Sequence, residues 1–127
     1  MESVIKLLAV AVGGAAGAVA RYLITISPIA RLFESFPLST FLINISGSIA
    51  IGFLLAITVE RFEMAENMKL ALIVGFLGAF TTFSTFEMEI FSLLRERQIF
   101  FAIFYAVLSL VVGLVGVAVG FELGRRV

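Results

Sequence analysis

Four long apolar stretches, each nearly free of charged side chains, run through this chain. They are residues 7–30, 35–59, 70–94 and 98–121, and the charges within them are Arg21, Glu87 and Glu89. A helix needs roughly 20 mainly apolar residues to cross the hydrocarbon core of a bilayer. The pattern therefore predicts four membrane spans, at about residues 4–26, 37–59, 69–94 and 99–122, in a single domain over residues 1–127.

The composition indicates that lipid is the surrounding solvent. Of the 127 residues, 61% are hydrophobic and 14% are charged, whereas soluble domains carry about 25% charged residues. Unpaired backbone groups are costly in lipid, so we predict helical spans and an all-α, multi-pass membrane protein. The chain has no His or Cys and no net charge, which argues against an enzyme built on those groups and against nucleic-acid binding.

Lysine and arginine are shared almost evenly between the two predicted sides of the membrane. Five lie on the side of both termini, and three or four, depending on Arg21, lie on the other. An excess on cytoplasmic loops normally sets orientation, so this weak bias allows dual topology and an antiparallel pair. A single orientation set by one charge is the alternative. Four helices enclose little space, so a conduction pathway would require a second subunit.

A polar stripe follows one face of span 2, where Thr40, Asn44 and Ser48 lie four residues apart. Span 4 carries Tyr105 and Ser109 at the same spacing. Polar groups at membrane depth need partners, so these stripes are either contacts between helices or the lining of a wet pathway. Glycines predict close helix contacts in three spans: Gly13, Gly14 and Gly17; Gly47 and Gly52; Gly113, Gly116, Gly120 and Gly124.

Span 3 contains an unusual segment, residues 75–85 (GFLGAFTTFST), in which two glycines precede four hydroxyl residues. Glycine weakens a helix, and Ser or Thr hydroxyls can bond to backbone groups that lose their helical partners. The segment is therefore either a helix break, whose freed carbonyls form a cation site, or a continuous helix that uses small residues for packing.

Several side chains near this segment have two possible roles. Phe83 and Phe86 lie three residues apart, and an aromatic ring turned edge-on offers an anion a weak contact. Arg21 either extends to the membrane surface or raises the local anion concentration in a vestibule. Glu87 and Glu89 either cap and solvate the helix or couple transport to protons.

Three motifs resemble the bacterial fluoride channel family called Fluc or CrcB. They are residues 13–22 (GGAAGAVARY), 44–48 (NISGS) and 75–86 (GFLGAFTTFSTF), in this order within four spans. The resemblance implies an antiparallel homodimer with a broken third helix and two pores in the bacterial cytoplasmic (inner) membrane. It also implies passive, fluoride-selective efflux that reduces fluoride toxicity, and a structural sodium ion at the dimer centre. The partners would be fluoride, membrane lipid and a second copy of the chain.

The resemblance also assigns roles to residues at matching positions. Main-chain oxygens of Gly78 and Thr81 would coordinate sodium, while Phe83, Phe86 and Asn44 would contact fluoride. Further pore hydroxyls would be Thr40, Ser84, Thr85, Tyr105 and Ser109, and Arg21 would line the vestibule.

The main rival is a proton-coupled exporter of the small multidrug type, which also has four spans. Such an exporter resembles its class through a membrane-embedded glutamate in span 1, where this chain has Arg21 as its charge. A purely structural subunit is a third possibility, and it leaves the hydroxyl-rich segment of span 3 unexplained.

Overall fold

The computed structural model describes residues 1–33, 36–61 and 64–127, without the side chains of Arg31, Glu60 and Arg61. All regular structure within these residues is helical. Four helical spans are long and apolar enough to cross a membrane: Glu2–Ile26, Leu38–Val59, Glu66–Arg95 and Ile99–Arg126. The predicted all-α class with four spans is confirmed, although Ser35, the first residue of the second apolar stretch, lies outside the described residues.

Helix α1 (Glu2–Ile26) is followed by a short 3₁₀ turn, Pro28–Arg31. Helix α2 (Leu38–Ala56) continues as a π-helical segment, Ile57–Arg61. Span 3 consists of α3 (Glu66–Lys69), a π-helical segment (Leu70–Leu77), α4 (Gly78–Phe80) and α5 (Phe83–Arg95). Helix α6 (Ile99–Arg126) completes the fold.

Helical geometry is interrupted within span 3 at two residues between α4 and α5. Thr81 has φ −76° and ψ 157°, and Thr82 has φ −149° and ψ 113°, both in the extended region. We call these two residues the interruption. Because extended residues cannot continue the helical hydrogen-bond ladder, the backbone groups on either side must find other partners or remain free.

The final helix extends past its apolar run, which was predicted to end near residue 122. Arg126 donates to the Glu122 carboxylate at 3.1 Å, one helical turn away. Arg125 lies 3.7 Å from the same carboxylate. These i,i+3 and i,i+4 pairs support the polar last turn, which hydropathy alone does not detect.

Glycines allow the backbones of α1 and span 3 to touch. A Cβ atom on Gly13 would overlap the Ala71 carbonyl, and one on Gly75 would lie 2.6 Å from the Val10 carbonyl oxygen. Gly17 meets the Phe76 carbonyl in the same way. Only hydrogen fits at these positions, so the predicted role of the span 1 glycines in helix contact is confirmed for Gly13 and Gly17.

Helices α2 and α6 form the second close pair. A Cβ on Gly52 would overlap the Val117 carbonyl, and one on Gly124 would lie 2.7 Å from the Phe53 carbonyl oxygen. Gly113 is looser, since the nearest atom to its Cβ position is Ser48 Oγ at 3.6 Å. The glycines therefore predicted close helix contacts on both of these spans correctly, but they did not distinguish tight positions from open ones.

Two buried clusters flank the interruption. One contains Ile43, Leu77 and Phe80, and the other contains Phe86, Leu93, Ala102 and Tyr105. Large apolar side chains such as Leu7, Phe100 and Leu114 are exposed on the outside. An outer surface of this kind fits contact with lipid, as the composition predicted.

Candidate functional site

A groove of about 460 Å³ opens beside the interruption, between α2, span 3 and α6. Six of the predicted site residues line it: Asn44, Gly78, Thr81, Phe83, Phe86 and Ser109. Gly47, Ser48 and Thr82 line it as well. The fold thus gathers residues from three spans around the segment that the sequence marked as unusual.

The backbone on the α4 side of the interruption has free acceptors. Thr81 directs both its N–H (3.0 Å) and its hydroxyl (2.8 Å) to the Leu77 carbonyl. In the part of the chain that the structure describes, no hydrogen bond reaches the carbonyls of Gly78 or Thr81. These oxygens lie at the C-terminal end of a helical segment, where the backbone dipoles favour a cation.

Asn44 of α2 bonds to the interruption through both ends of its amide. Its Nδ2 donates to the Thr82 carbonyl at 3.0 Å, and its Oδ1 accepts from the Thr82 N–H at 2.9 Å. An Asn amide has two N–H donors, so one donor remains after this pairing. Asn44 was predicted to donate to fluoride, and the structure gives it this additional backbone contact.

Thr82 caps the N-terminus of α5. Its hydroxyl oxygen accepts from the Thr85 N–H at 3.3 Å, and its O–H donates to the Thr85 hydroxyl oxygen at 2.9 Å. A Thr at this position satisfies one of the N–H groups that every helix start leaves free. Thr85, predicted as a pore hydroxyl, is therefore engaged with the cap in this structure.

Phe83 and Phe86 differ in their surroundings although they lie three residues apart. Phe86 is 8% exposed and packs at an angle of 65° against the Tyr105 ring, with centroids 5.1 Å apart. Phe83 is 68% exposed, and its centroid lies 5.9 Å from that of Phe86. Phe86 is therefore fixed within the helical fold, whereas the ring of Phe83 projects outward from it.

Thr40 and Tyr105, from the two predicted polar stripes, meet at one carboxylate. The Thr40 hydroxyl donates to Glu89 Oε1 at 2.6 Å, and the Tyr105 hydroxyl donates to Glu89 Oε2 at 2.8 Å. We call this trio the Glu89 network. It joins α2, α5 and α6 and satisfies the two hydroxyls, both of which belong to buried residues.

Ser109 contrasts with these satisfied groups. Its Oγ is buried and has no hydrogen-bond partner among the described residues, yet the residue lines the groove. A buried hydroxyl without a partner is costly, and it leaves one donor available to a bound ligand.

Two predicted site residues lie away from this cluster. Ser84 is exposed near the start of α5, and Arg21 is half-exposed on α1. Neither lines the groove. The Arg21 carbonyl accepts from the Thr25 hydroxyl at 3.0 Å, and the vestibule role of its side chain stays a prediction.

Sequence reasoning missed three residues that the structure places in contact with the site. Glu89 was given capping or proton coupling as alternative roles and no contact with Thr40 or Tyr105, Thr82 was not assigned to the site, and Gly47 was predicted to mark a contact between helices. A signal for Glu89 exists, because it lies three residues after Phe86 on the same helical face. Gly47 instead faces the interruption, since a Cβ there would overlap the Thr81 methyl.

Side chains offer no metal cluster among the described residues, where no group of three or more His, Cys, Asp or Glu is assembled. The free carbonyls at Gly78 and Thr81 are oxygen donors of a different kind. Neutral carbonyl oxygens suit hard cations, so this is where a cation such as sodium would fit.

These features define a helical membrane protein with four spans and a groove, lined in part by polar side chains and edged by phenylalanine, at an interrupted third span. The chain belongs to the CrcB family. Residues 8–121 match the family described as "CrcB-like protein, Camphor Resistance (CrcB)".

Similar proteins include the fluoride-specific ion channel FluC 1 of Moorella thermoacetica, which is 47% identical over 119 residues, 93% of this chain and 84% of the relative. The fluoride-specific ion channel FluC of Chloroflexus aurantiacus is 44% identical over 120 residues, 94% of this chain and 95% of the relative. That of Methylococcus capsulatus is 43% identical over 123 residues. The match covers 97% of this chain and 54% of the relative, so the chain spans about half the length of that protein.

Proposed function

We propose that this protein is a passive, fluoride-selective ion channel of the bacterial cytoplasmic membrane. The observation that carries the proposal is the groove, in which the unpartnered Ser109 hydroxyl, Asn44 and the rings of Phe83 and Phe86 lie together at the interruption. Family membership and relatives named as fluoride-specific channels support the choice of ion.

The chemistry of the groove suits a small, strongly hydrated anion. A selective pore must replace the hydration shell with hydrogen-bond donors and still release the ion quickly. Ser109 and the remaining N–H of Asn44 supply donors, and ring edges supply weak contacts that do not hold an anion tightly. The first turn of α5 adds N–H groups that favour negative charge.

Fluoride efflux through such a channel needs no ATP hydrolysis or coupled ion gradient. An inside-negative potential contributes about 2.3 kcal/mol per charge per 100 mV, and this drives an anion outward through any open selective path. The protein would then lower the internal fluoride concentration and protect the cell from fluoride.

We further propose that the interruption is the broken third helix of an antiparallel homodimer inserted in both orientations. Phe83 supports this, because an exposed ring at the edge of the groove would be covered by a second subunit. Cross-linking or mass determination in lipid tests the assembly, and a monomer that conducts fluoride would contradict it.

The Gly78 and Thr81 carbonyls would hold a structural sodium ion at the dimer centre. This assignment is supported by the position of both oxygens at the C-terminal end of α4, where no hydrogen bond from the described residues reaches them. When bound, sodium would add positive charge beside the anion path and join the two subunits. Fluoride conduction that is unchanged after refolding in sodium-free buffer would contradict this assignment.

A liposome assay tests the channel function. Purified protein is reconstituted into vesicles loaded with potassium fluoride. A potassium ionophore lets potassium leave with the anion, so that no opposing membrane potential builds up. A fluoride electrode should record rapid release after the ionophore is added. Release no faster than from protein-free vesicles would contradict the proposal.

A further inference from the structure

Two residues of α2 contact the interruption, one at each of its two residues. Asn44 bonds to the backbone of Thr82, and Gly47 faces the side chain of Thr81. They are three residues apart in α2 and therefore share one helical face. Because α2 is an unbroken helix over Leu38–Ala56, it offers a rigid surface against the part of span 3 that has lost its own hydrogen-bond ladder.

Asn44 replaces helical partners that Thr82 lacks. In a continuous helix the Thr82 N–H would bond to the Gly78 carbonyl, but here it bonds to Asn44 Oδ1 at 2.9 Å. The Thr82 carbonyl accepts from Asn44 Nδ2 at 3.0 Å. Thr82 is buried, so losing the amide would leave two backbone groups without partners. An aspartate could accept from the N–H but could not donate to the carbonyl.

Gly47 gives Thr81 the space that its side chain requires. A Cβ at position 47 would overlap Thr81 Cγ2, while the next atom, Phe80 Cδ1, lies 3.7 Å away in ordinary contact. Thr81 cannot rotate this methyl aside without cost, because its hydroxyl donates to the Leu77 carbonyl at 2.8 Å. The rotamer of the Thr81 side chain is therefore fixed, and a Cβ at position 47 could be accommodated only by a shift of the Thr81 backbone.

We infer that Asn44 and Gly47 are positioning residues that set the backbone of the interruption. Asn44 hydrogen-bonds to the Thr82 backbone, and Gly47 leaves space for the Thr81 side chain. Through these two contacts α2 fixes the direction of the Thr81 carbonyl and the position of Phe83, the first residue of α5. This inference rests on the proposed channel function, since it assigns these residues an effect on conduction through groups that they position.

A double-mutant cycle between Gly47 and Thr81 tests the inference. Gly47→Ala introduces the overlapping Cβ, and Thr81→Ser removes the methyl while keeping the hydroxyl that bonds to Leu77. Gly47→Ala should slow fluoride efflux by at least about tenfold, since overpacking forces backbone shifts. The double variant should conduct within about threefold of Thr81→Ser alone. Gly113→Ala is the control, because its Cβ would meet only ordinary contacts at 3.6 and 3.9 Å.

The coupling between the two substitutions decides the outcome. If Gly47→Ala fails to yield folded protein, recovery of folded protein by Thr81→Ser supports the contact and absence of recovery overturns it. If Gly47→Ala conducts like wild type, or if the two effects simply add, the positioning role is wrong.

A second measurement separates this inference from the channel function. Hydrogen–deuterium exchange of peptides covering residues 78–86 should be faster in Asn44→Ser and Gly47→Ala than in wild type and Gly113→Ala, because the Thr82 N–H loses its fixed acceptor. Unchanged exchange would refute positioning whether or not the protein conducts. Wild-type protein that conducts no fluoride, with accelerated exchange in both variants, would refute the function and retain the positioning role.

Discussion

Removing the Tyr105 hydroxyl should destabilise the protein measurably, because that hydroxyl bonds to a carboxylate within the membrane-spanning region. Tyr105 is 0% exposed, and its OH donates to Glu89 Oε2 at 2.8 Å. Tyr105→Phe keeps the ring and its packing against Phe36 and Phe86, with centroids at 5.2 and 5.1 Å. The change in stability therefore reports the hydrogen bond and little else.

The expected magnitude follows from the loss of one partner of a buried hydrogen bond. Such a loss costs about 1–3 kcal/mol, and Thr40 alone would remain as a donor to Glu89. Tyr105→Phe should thus lower the free energy of unfolding in detergent by about 2 kcal/mol. In a Glu89→Gln background the same substitution should cost less, because the amide offers one acceptor oxygen where the carboxyl group offers two.

Tyr22→Phe supplies the matched control. Tyr22 is the other tyrosine of the chain, it is 62% exposed, and its hydroxyl makes no hydrogen bond with the described residues. Chemical unfolding followed by tyrosine-independent far-UV circular dichroism compares the variants. If Tyr105→Phe is as stable as Tyr22→Phe, the Glu89 network does not join the three helices as described.

Three further tests, with five substitutions between them, concern helix packing, the α5 cap and a turn. Gly17→Ala should cost about 1–3 kcal/mol of stability because its Cβ would overlap the Phe76 carbonyl, whereas Gly14→Ala, whose nearest contact is at 3.8 Å, should be nearly neutral by thermal melting. Thr82→Ala should cost about 1 kcal/mol through loss of the α5 cap and Thr82→Ser much less; equal melting temperatures would contradict the cap. Arg97→Gly should raise the stability by about 1 kcal/mol, because Arg97 has φ 61° in the left-handed region; a lower stability would contradict this.

The spans could be predicted from sequence because one physical constraint dominates them. Charge-free length determines whether a helix can cross lipid, and residues 98–121 satisfy it without ambiguity. The ends were harder, since the last turn of α6 depends on pairing between Glu122 and Arg126 rather than on hydropathy. The glycine and hydroxyl content of residues 75–85, which include the extended Thr81 and Thr82, left both a helix break and a continuous helix open.

The partners of the polar side chains could not be predicted in the same way. Thr40 and Tyr105 were placed in separate polar stripes on spans 2 and 4. Their hydrogen bonds to the same residue, Glu89, depend on how three helices are rotated about their axes. Asn44 was assigned by motif to an anion, and sequence gives no sign that both ends of its amide bond to Thr82. Such contacts depend on relative placement across the fold, which a linear pattern does not encode.

Gly47 illustrates the same limit for small residues. A glycine in a span predicts close approach to something, and another helix backbone is the usual neighbour. Here the neighbour is the Thr81 methyl, held by the bond from the Thr81 hydroxyl to Leu77. The sequence therefore located the close contact but did not identify its partner.

The ratio of fluoride to chloride efflux from one population of vesicles tests the channel proposal most directly. Vesicles containing the protein are loaded with equal concentrations of potassium fluoride and potassium chloride, and ion-selective electrodes follow both anions after a potassium ionophore is added. The groove chemistry predicts that fluoride leaves rapidly while chloride stays at the level of protein-free vesicles. Equal release of both anions, or release of neither, would contradict it.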